Sequence, residues 1–190
     1  MLKKIPPYQI ISFIGSLLLV GYVLWAYRFR VGSVPEWTLN AAIFVAALVT
    51  VMTLLGLGQL FNDYRKGYLF PLRNATLFLT LLSVVAIPVL VVWELIYPDS
   101  LSASTLLLLP VLLFMMSRNL FRVKVDNVAL EAKLGLRQPL YIPLYSITRV
   151  EEDERGLLIS RSDGDDIRLL RVFFFASHWR KLKERLSALG

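Results

Sequence analysis

The sequence predicts a membrane α-helical bundle of four transmembrane helices, followed by a small α+β cytoplasmic domain. Three observations carry this expectation. Charge is unevenly placed: 18% of the 190 residues are charged, yet Met1–Ser117 holds 7 Lys/Arg and 4 Asp/Glu against 14 and 10 in Arg118–Gly190. Apolar runs near 20 residues, the length that crosses about 30 Å of hydrocarbon, recur through the first part. After Ser117 the runs give way to residue-by-residue alternation, the mark of half-buried strands. Hydrocarbon therefore solvates residues 1–117 and water solvates 118–190.

The apolar runs are 8–27, 37–61, 75–97 and 101–117. Backbone groups in lipid must be paired within the segment, so each run reads as a helix. The first run follows Lys3 and Lys4 as a signal peptide would, but no small-residue cleavage site follows, and it reads as a retained helix. Pro88 and Pro110 fall inside the third and fourth runs and are expected to kink them. Trp25, Trp37, Trp93 and Tyr97 fall near helix ends, where interfacial aromatics belong. The flanking cations Lys3, Lys4, Arg65, Lys66, Arg73, Arg118, Arg122 and Lys124 outnumber Arg28 and Arg30 on the other side. The positive-inside rule then puts both termini in the cytoplasm. The polar residues within the runs are Asn40, Thr50, Thr53, Gln59, Ser83 and Glu94; Gly56–Gln59 suits close helix approach.

In the second part FRVKVDN places Phe121, Val123 and Val125 on one face of a strand and Arg122, Lys124 and Asp126 on the other. After a turn at Asp126-Asn127, VALEAKLGL alternates Val128, Leu130, Ala132 and Leu134 with Ala129, Glu131 and Lys133. QPLYIPLYSITRVEEDE gives one or two further strands with Pro139 and Pro143 at edges or bends. GLLISRSDGDDIRLLRV reads as a hairpin about a two-residue Asp163-Gly164 turn. That turn sets Arg161 opposite Asp166, Leu158 opposite Leu169 and Leu157 opposite Leu170. Ser177 is the expected N-cap of a closing helix over 177–189. Trp179, Leu182, Leu186 and Leu189 fall on one face of it, which is expected to cover the sheet.

This order of elements resembles the pleckstrin-homology-like domains of small bacterial membrane proteins. The resemblance rests on FRVKVDNVALEAKLGL, YIPLYSITRVEED, GLLISRSDGDDIRLLRV and the helix from Ser177, about 70 residues. It implies a bent antiparallel sheet or partial barrel closed by the helix, in a domain that binds or assembles rather than catalyses. It also implies residence in the bacterial cytoplasmic (inner) membrane.

The chain has no cysteine and a single histidine, His178, so thiolate and paired-histidine metal sites have no ligands. His178 is expected in a surface or capping role, and Glu151–Glu154 as a solvated acidic run. No phosphate-cradling glycine loop or nucleophile elbow occurs. No enzyme activity, cofactor or metal is expected. The charge of +7 is spread over both parts, which argues against nucleic acid as a partner. Asn74-Ala75-Thr76 matches a glycosylation acceptor on the wrong side of the membrane. The loop Asn62–Asn74 interleaves aromatic and basic residues at the membrane surface. Tyr64, Arg65, Lys66, Tyr68 and Arg73, with Arg118 and Arg122, are therefore the candidate contacts to the lipid bilayer or to a partner. The leading expectation is protein recruitment, assembly or self-association at the membrane, with an exposed strand edge near Pro139–Pro143 as one docking point. The alternative is a transport or lipid-handling protein capped by the β domain, which requires a cavity containing Glu94 or Gln59.

Overall fold

The computed structural model describes residues 6–29, 35–97, 102–134, 139–162 and 164–187. Lys3, Lys4, Arg30, the connection 98–101, Asp163 of the expected Asp-Gly turn and the chain beyond Ser187 lie outside the described residues. The chain forms two compact units, Met1–Gln59 with Leu79–Arg118, and Leu60–Phe78 with Asn119–Gly190. The second unit thus takes in a segment, 60–78, that the sequence reading left among the membrane helices.

Four helices supply the first unit: α1 (Pro7–Phe29), α2 (Glu36–Arg65), α3 (Ala75–Ile96) and α4 (Ala103–Arg118). α2 and α3 each have one end in the second unit. Among the described residues three stretches are long and apolar enough to cross a membrane: Pro7–Arg28, Trp37–Arg65 and Ala75–Glu94. α4 has 16 residues, about 24 Å at 1.5 Å per residue, and is the short one. Pro88 and Pro110 sit inside continuous helices.

Large apolar side chains such as Leu82, Val85 and Val89 point outward along α3, an arrangement that lipid satisfies and water does not. The α1–α2 seam is built on small residues. Gly56 lies against the Tyr8 ring, Ser12 Oγ is 3.5 Å from Thr53 Oγ1, and a Cβ on Gly15 would meet Val49 Cγ2 at 2.4 Å. Gly56 therefore packs as expected, while Ser12, Ser16 and Thr80 are buried polar groups that the sequence reading passed over. Thr80 donates to the Met116 carbonyl on α4, and Thr50 and Ser83 turn back onto their own helices.

Among the described residues the second unit holds seven strands and one α-helix: β1 (Leu69–Pro71), β2 (Arg122–Val125), β3 (Ala129–Lys133), β4 (Leu140–Pro143), β5 (Ile147–Asp153), β6 (Gly156–Arg161), β7 (Ile167–Leu170) and α5 (Ala176–Ser187). All pairings are antiparallel, in the orders β1-β2-β3-β4 and β5-β6-β7. No pairing joins the two sheets among the described residues, so no barrel closes. One core unites them. Phe70 and Leu72 from the β1 region join Val123, Val125, Leu130, Ile142, Leu157, Ile159, Leu169 and Phe174. Trp179, Leu182 and Leu186 of α5 complete it, so the helix covers the sheets as its apolar stripe requires.

Local details depart from the sequence reading. β6 and β7 pair Leu157 with Leu169, Ile159 with Ile167 and Leu158 with Arg168, one residue away from the register of a two-residue Asp-Gly turn. Residues directly opposite share a face. The observed register gathers Leu157, Ile159, Ile167 and Leu169 in the core; the expected one would set Ile159 against Arg168. Core burial overrides the turn signal here. Leu134 and Val128 are exposed, while Ala129 and Lys133 are buried, so β3 packs on both faces instead of alternating. α5 begins at Ala176, and the Phe175 carbonyl accepts from Trp179 N–H, which places Ser177 inside the helix rather than at its cap. Asp126 does make the expected turn: its Oδ1 accepts from the Val128 and Ala129 amides at 2.9 and 2.8 Å.

Candidate functional site

The aromatic and basic loop from Asn62 to Asn74 is built into the second unit. α2 ends in a Schellman motif. Tyr68 N–H donates to the Asp63 carbonyl and Gly67 N–H to that of Tyr64, with Gly67 at φ +72°, a backbone setting that favours glycine. Three side-chain contacts fix this turn. Lys124 of β2 donates to Asp63 Oδ2 at 2.6 Å, with both side chains about three-quarters buried. His178 Nε2 lies 3.2 Å from the Tyr64 hydroxyl. Arg185 Nη1 donates to the Gly67 carbonyl at 3.0 Å while its guanidinium covers the Tyr68 ring at 4.4 Å. A cation at a helix C-terminus also meets the negative end of the helix dipole. His178 and Arg185 are seven residues apart, so two turns of α5 present both to the end of α2.

Beyond the turn, β1 joins the sheet, and Arg73 N–H donates to the Phe173 carbonyl at 2.7 Å. Asn74 then caps α3: its Oδ1 accepts from Leu77 N–H at 3.2 Å and from Thr76 Oγ1 at 2.7 Å. The glycosylation-like triplet is thus a helix cap.

His178 is half-buried at the surface of the second unit. Its ring stands edge-on to Tyr64 and Phe175, and its Nδ1 is buried with no hydrogen-bond partner. The neutral ring is best satisfied with its proton on Nε2, donating to Tyr64. Burial, then the nearby Lys181 ammonium, holds the imidazole below its ordinary pKa of 6.5.

Of the candidate contact residues, Tyr64, Arg65, Lys66, Tyr68, Arg73 and Arg122 belong to the second unit and Arg118 to the first. Arg65, Lys66 and Arg73 are exposed. Tyr64 and Tyr68 serve the clamp. Arg122 Nη1 donates to the Leu120 carbonyl, and Arg118 lies over the Phe13 and Phe114 rings. Sequence reasoning missed the partners Asp63, Lys124, His178 and Arg185. The i,i+7 spacing of His178 and Arg185 on the polar side of an amphipathic helix was the available signal.

The acidic run is engaged in ion pairs. Glu151 pairs with Arg149, Glu152 with Lys183 of α5, and Asp153 with Arg168 of β7. No His, Asp or Glu cluster suited to a metal occurs among the described residues. β4 is an edge strand, but a poor acceptor of a partner strand. Leu144 N–H donates to the Val128 carbonyl, and this parity turns positions 139, 141 and 143 outward. Pro139 and Pro143 lack an N–H, so the outer edge offers only that of Tyr141.

In the first unit a cleft of about 280 Å³ lies between α1 and α2, lined by residues that include Leu18, Tyr22, Trp25, Trp37 and Ala41. Neither Glu94 nor Gln59 lines it. Compared with protein families, with curated proteins and with solved structures, the chain has no match in any of the three.

Proposed function

We propose that this chain is a non-enzymatic, four-pass protein of the bacterial cytoplasmic membrane that presents a pleckstrin-homology-like domain at the cytoplasmic face. There it recruits a protein partner or assembles with copies of itself. The observation that carries the reading is the β1–β2 pairing, Leu69 opposite Lys124 and Phe70 opposite Val123. β1 precedes α3 and β2 follows α4, so both ends of the α3–α4 segment are on one side of the membrane. If α3 crosses, the chain must return through α4. Its length of about 24 Å is accommodated by local thinning of the bilayer. An even number of crossings puts both termini on one side, and the Lys/Arg asymmetry makes that side the cytoplasm.

A four-stranded and a three-stranded antiparallel sheet under a C-terminal helix is consistent with the pleckstrin-homology-like reading. Phosphoinositide-binding members carry a basic loop between their first two strands, and the turn between β2 and β3 here is only Asp126-Asn127. That argues for a protein rather than an inositide as the ligand. The favoured docking surface is the exposed apolar group at the end of the four-stranded sheet, where Val128 and Tyr145 are 66% and 88% exposed. The Leu144–Val128 backbone bond brings these two positions together. Exposed apolar side chains at neighbouring positions are what a docking partner would cover.

A photo-crosslinking amino acid at position 145 or 128 of the full chain, in its native membrane, tests this. The expected product is a discrete crosslink to a second polypeptide or a second copy. Crosslinks to neither from both positions overturn the proposal.

A further inference from the structure

We infer that the turn Arg171–Phe173, between β7 and α5, is a membrane-dipping element that seats the β unit on anionic lipid. The turn is a single 3-10 turn whose three side chains are all exposed, with Val172 at 73% and Phe173 at 45%. Two adjacent apolar side chains held outward by a folded unit are not placed there by the core, which takes in Leu169 before the turn and Phe174 after it but neither Val172 nor Phe173.

Chain connectivity says what covers them. The Phe173 carbonyl accepts from Arg73 N–H at 2.7 Å. Residue 73 stands two positions before Ala75, the first residue of an apolar span of 20 residues. Asn74, between them, caps that helix. Val172 and Phe173 are therefore tied by a backbone hydrogen bond to the point where α3 enters the hydrocarbon.

The charges around the turn suit the headgroup level. Arg73 and Arg171 are exposed, and Arg171 N–H donates to the Arg155 carbonyl, which adds a third exposed guanidinium. Among the neighbouring acids, Asp153 is paired with Arg168, and Glu154 lies beside Arg155. An apolar tip with exposed arginines on the segments hydrogen-bonded to it matches a bilayer interface, with side chains in the upper acyl region and guanidiniums on lipid phosphates. The inference rests on α3 crossing the membrane, and the test separates the two.

The chain has no cysteine, so single-cysteine variants report one position each. Val172→Cys and Phe173→Cys, both surface substitutions, carry an environment-sensitive fluorophore in the full chain. The protein is reconstituted alone in phosphatidylglycerol-containing vesicles. Val85→Cys, on the exposed face of α3, reports the span, and Asp165→Cys, at an exposed position between β6 and β7, reports water. Blue-shifted emission at 172 and 173, quenched by lipids with a nitroxide high on the acyl chain, is the expected result. Replacing phosphatidylglycerol by phosphatidylcholine should move these spectra toward the aqueous one and leave Val85→Cys unchanged. Quenching at Val85→Cys with water-like spectra at 172 and 173 overturns this inference alone. A blue shift without lipid quenching means protein covers the turn and also overturns it. A water-like Val85→Cys overturns the membrane reading and this inference with it.

Discussion

Phe70→Ala tests whether the segment between α2 and α3 belongs to the β unit. Phe70 is 2% exposed and sits in the core with Val123, Leu130 and Trp179. A buried phenylalanine removes some 150–250 Å² from water. At about 25 cal/mol/Å² that is about 4–6 kcal/mol before relaxation, and measured Phe→Ala losses run about 3–5 kcal/mol. A unit of this size is stable by roughly 5–15 kcal/mol in all. The assay is thiol labelling of Ala132→Cys, a buried core position in an otherwise cysteine-free chain. Labelling through global opening tracks the opening equilibrium, so Phe70→Ala should speed it about a hundred- to several-thousand-fold, at tenfold per 1.4 kcal/mol. Val128→Ala, at an exposed site, should change it less than threefold. If Phe70→Ala also changes it less than threefold, β1 does not contribute to the core and the assignment of residues 60–78 is wrong.

Two further outcomes are expected. Acid should weaken the second unit: folded His178 titrates below 6.5 and the unfolded residue near 6.5, so the unfolded chain takes up the proton first. Stability supplied by the neutral ring is present above about pH 6.5 and is lost as the pH falls from there through the folded pKa. Melting temperatures between pH 7.5 and 5.5 should therefore drop in the parent and drop less in His178→Phe; equal slopes refute the assignment. For the β6–β7 register, the pair Leu158→Cys/Arg168→Cys should oxidise readily to a disulfide, because directly opposite strand residues lie within bridging distance. Leu158→Cys/Leu169→Cys, opposite only in the register of a two-residue turn, should not.

The elements were legible wherever one physical signal dominated. Length and apolarity located α1, α2 and α3, and the period-two pattern located β2. The spacing of Trp179, Leu182 and Leu186 found both α5 and its buried face. What the sequence hid was non-local. Leu69-Phe70-Pro71 is three residues long, too short for any pattern, and becomes a strand only because β2 lies beside it. The β6–β7 register departs from the turn signal because turn chemistry acts at one end of the hairpin while four core side chains act along its length. The clamp on α2 joins residues more than 110 positions apart, Tyr64 to His178 and Gly67 to Arg185. No local window contains such a pair. Tyr64, Tyr68 and Arg73 were nonetheless singled out from their interleaving in one loop, which marked the segment before its partners were visible.

The connectivity also constrains how the unit forms. In sheet order β1-β2-β3-β4 each strand pairs with the next in sequence, and the connections β2–β3 and β3–β4 are short. Between β1 and β2 stand α3 and α4. The first hairpin of the β unit therefore has a pair of apolar helices as its turn. A flexible loop of that length would charge a closure entropy that grows with the logarithm of its length. Folding of α3 and α4 shortens the flexible part of that connection, so less of the cost falls on the sheet. The same arrangement explains why Asp63–Lys124, Tyr64–His178 and Gly67–Arg185 gather at the end of α2. Stabilising that turn holds β1 in place for β2. Residues 119–190 expressed without 60–78 therefore lack an edge strand and two core side chains, Phe70 and Leu72.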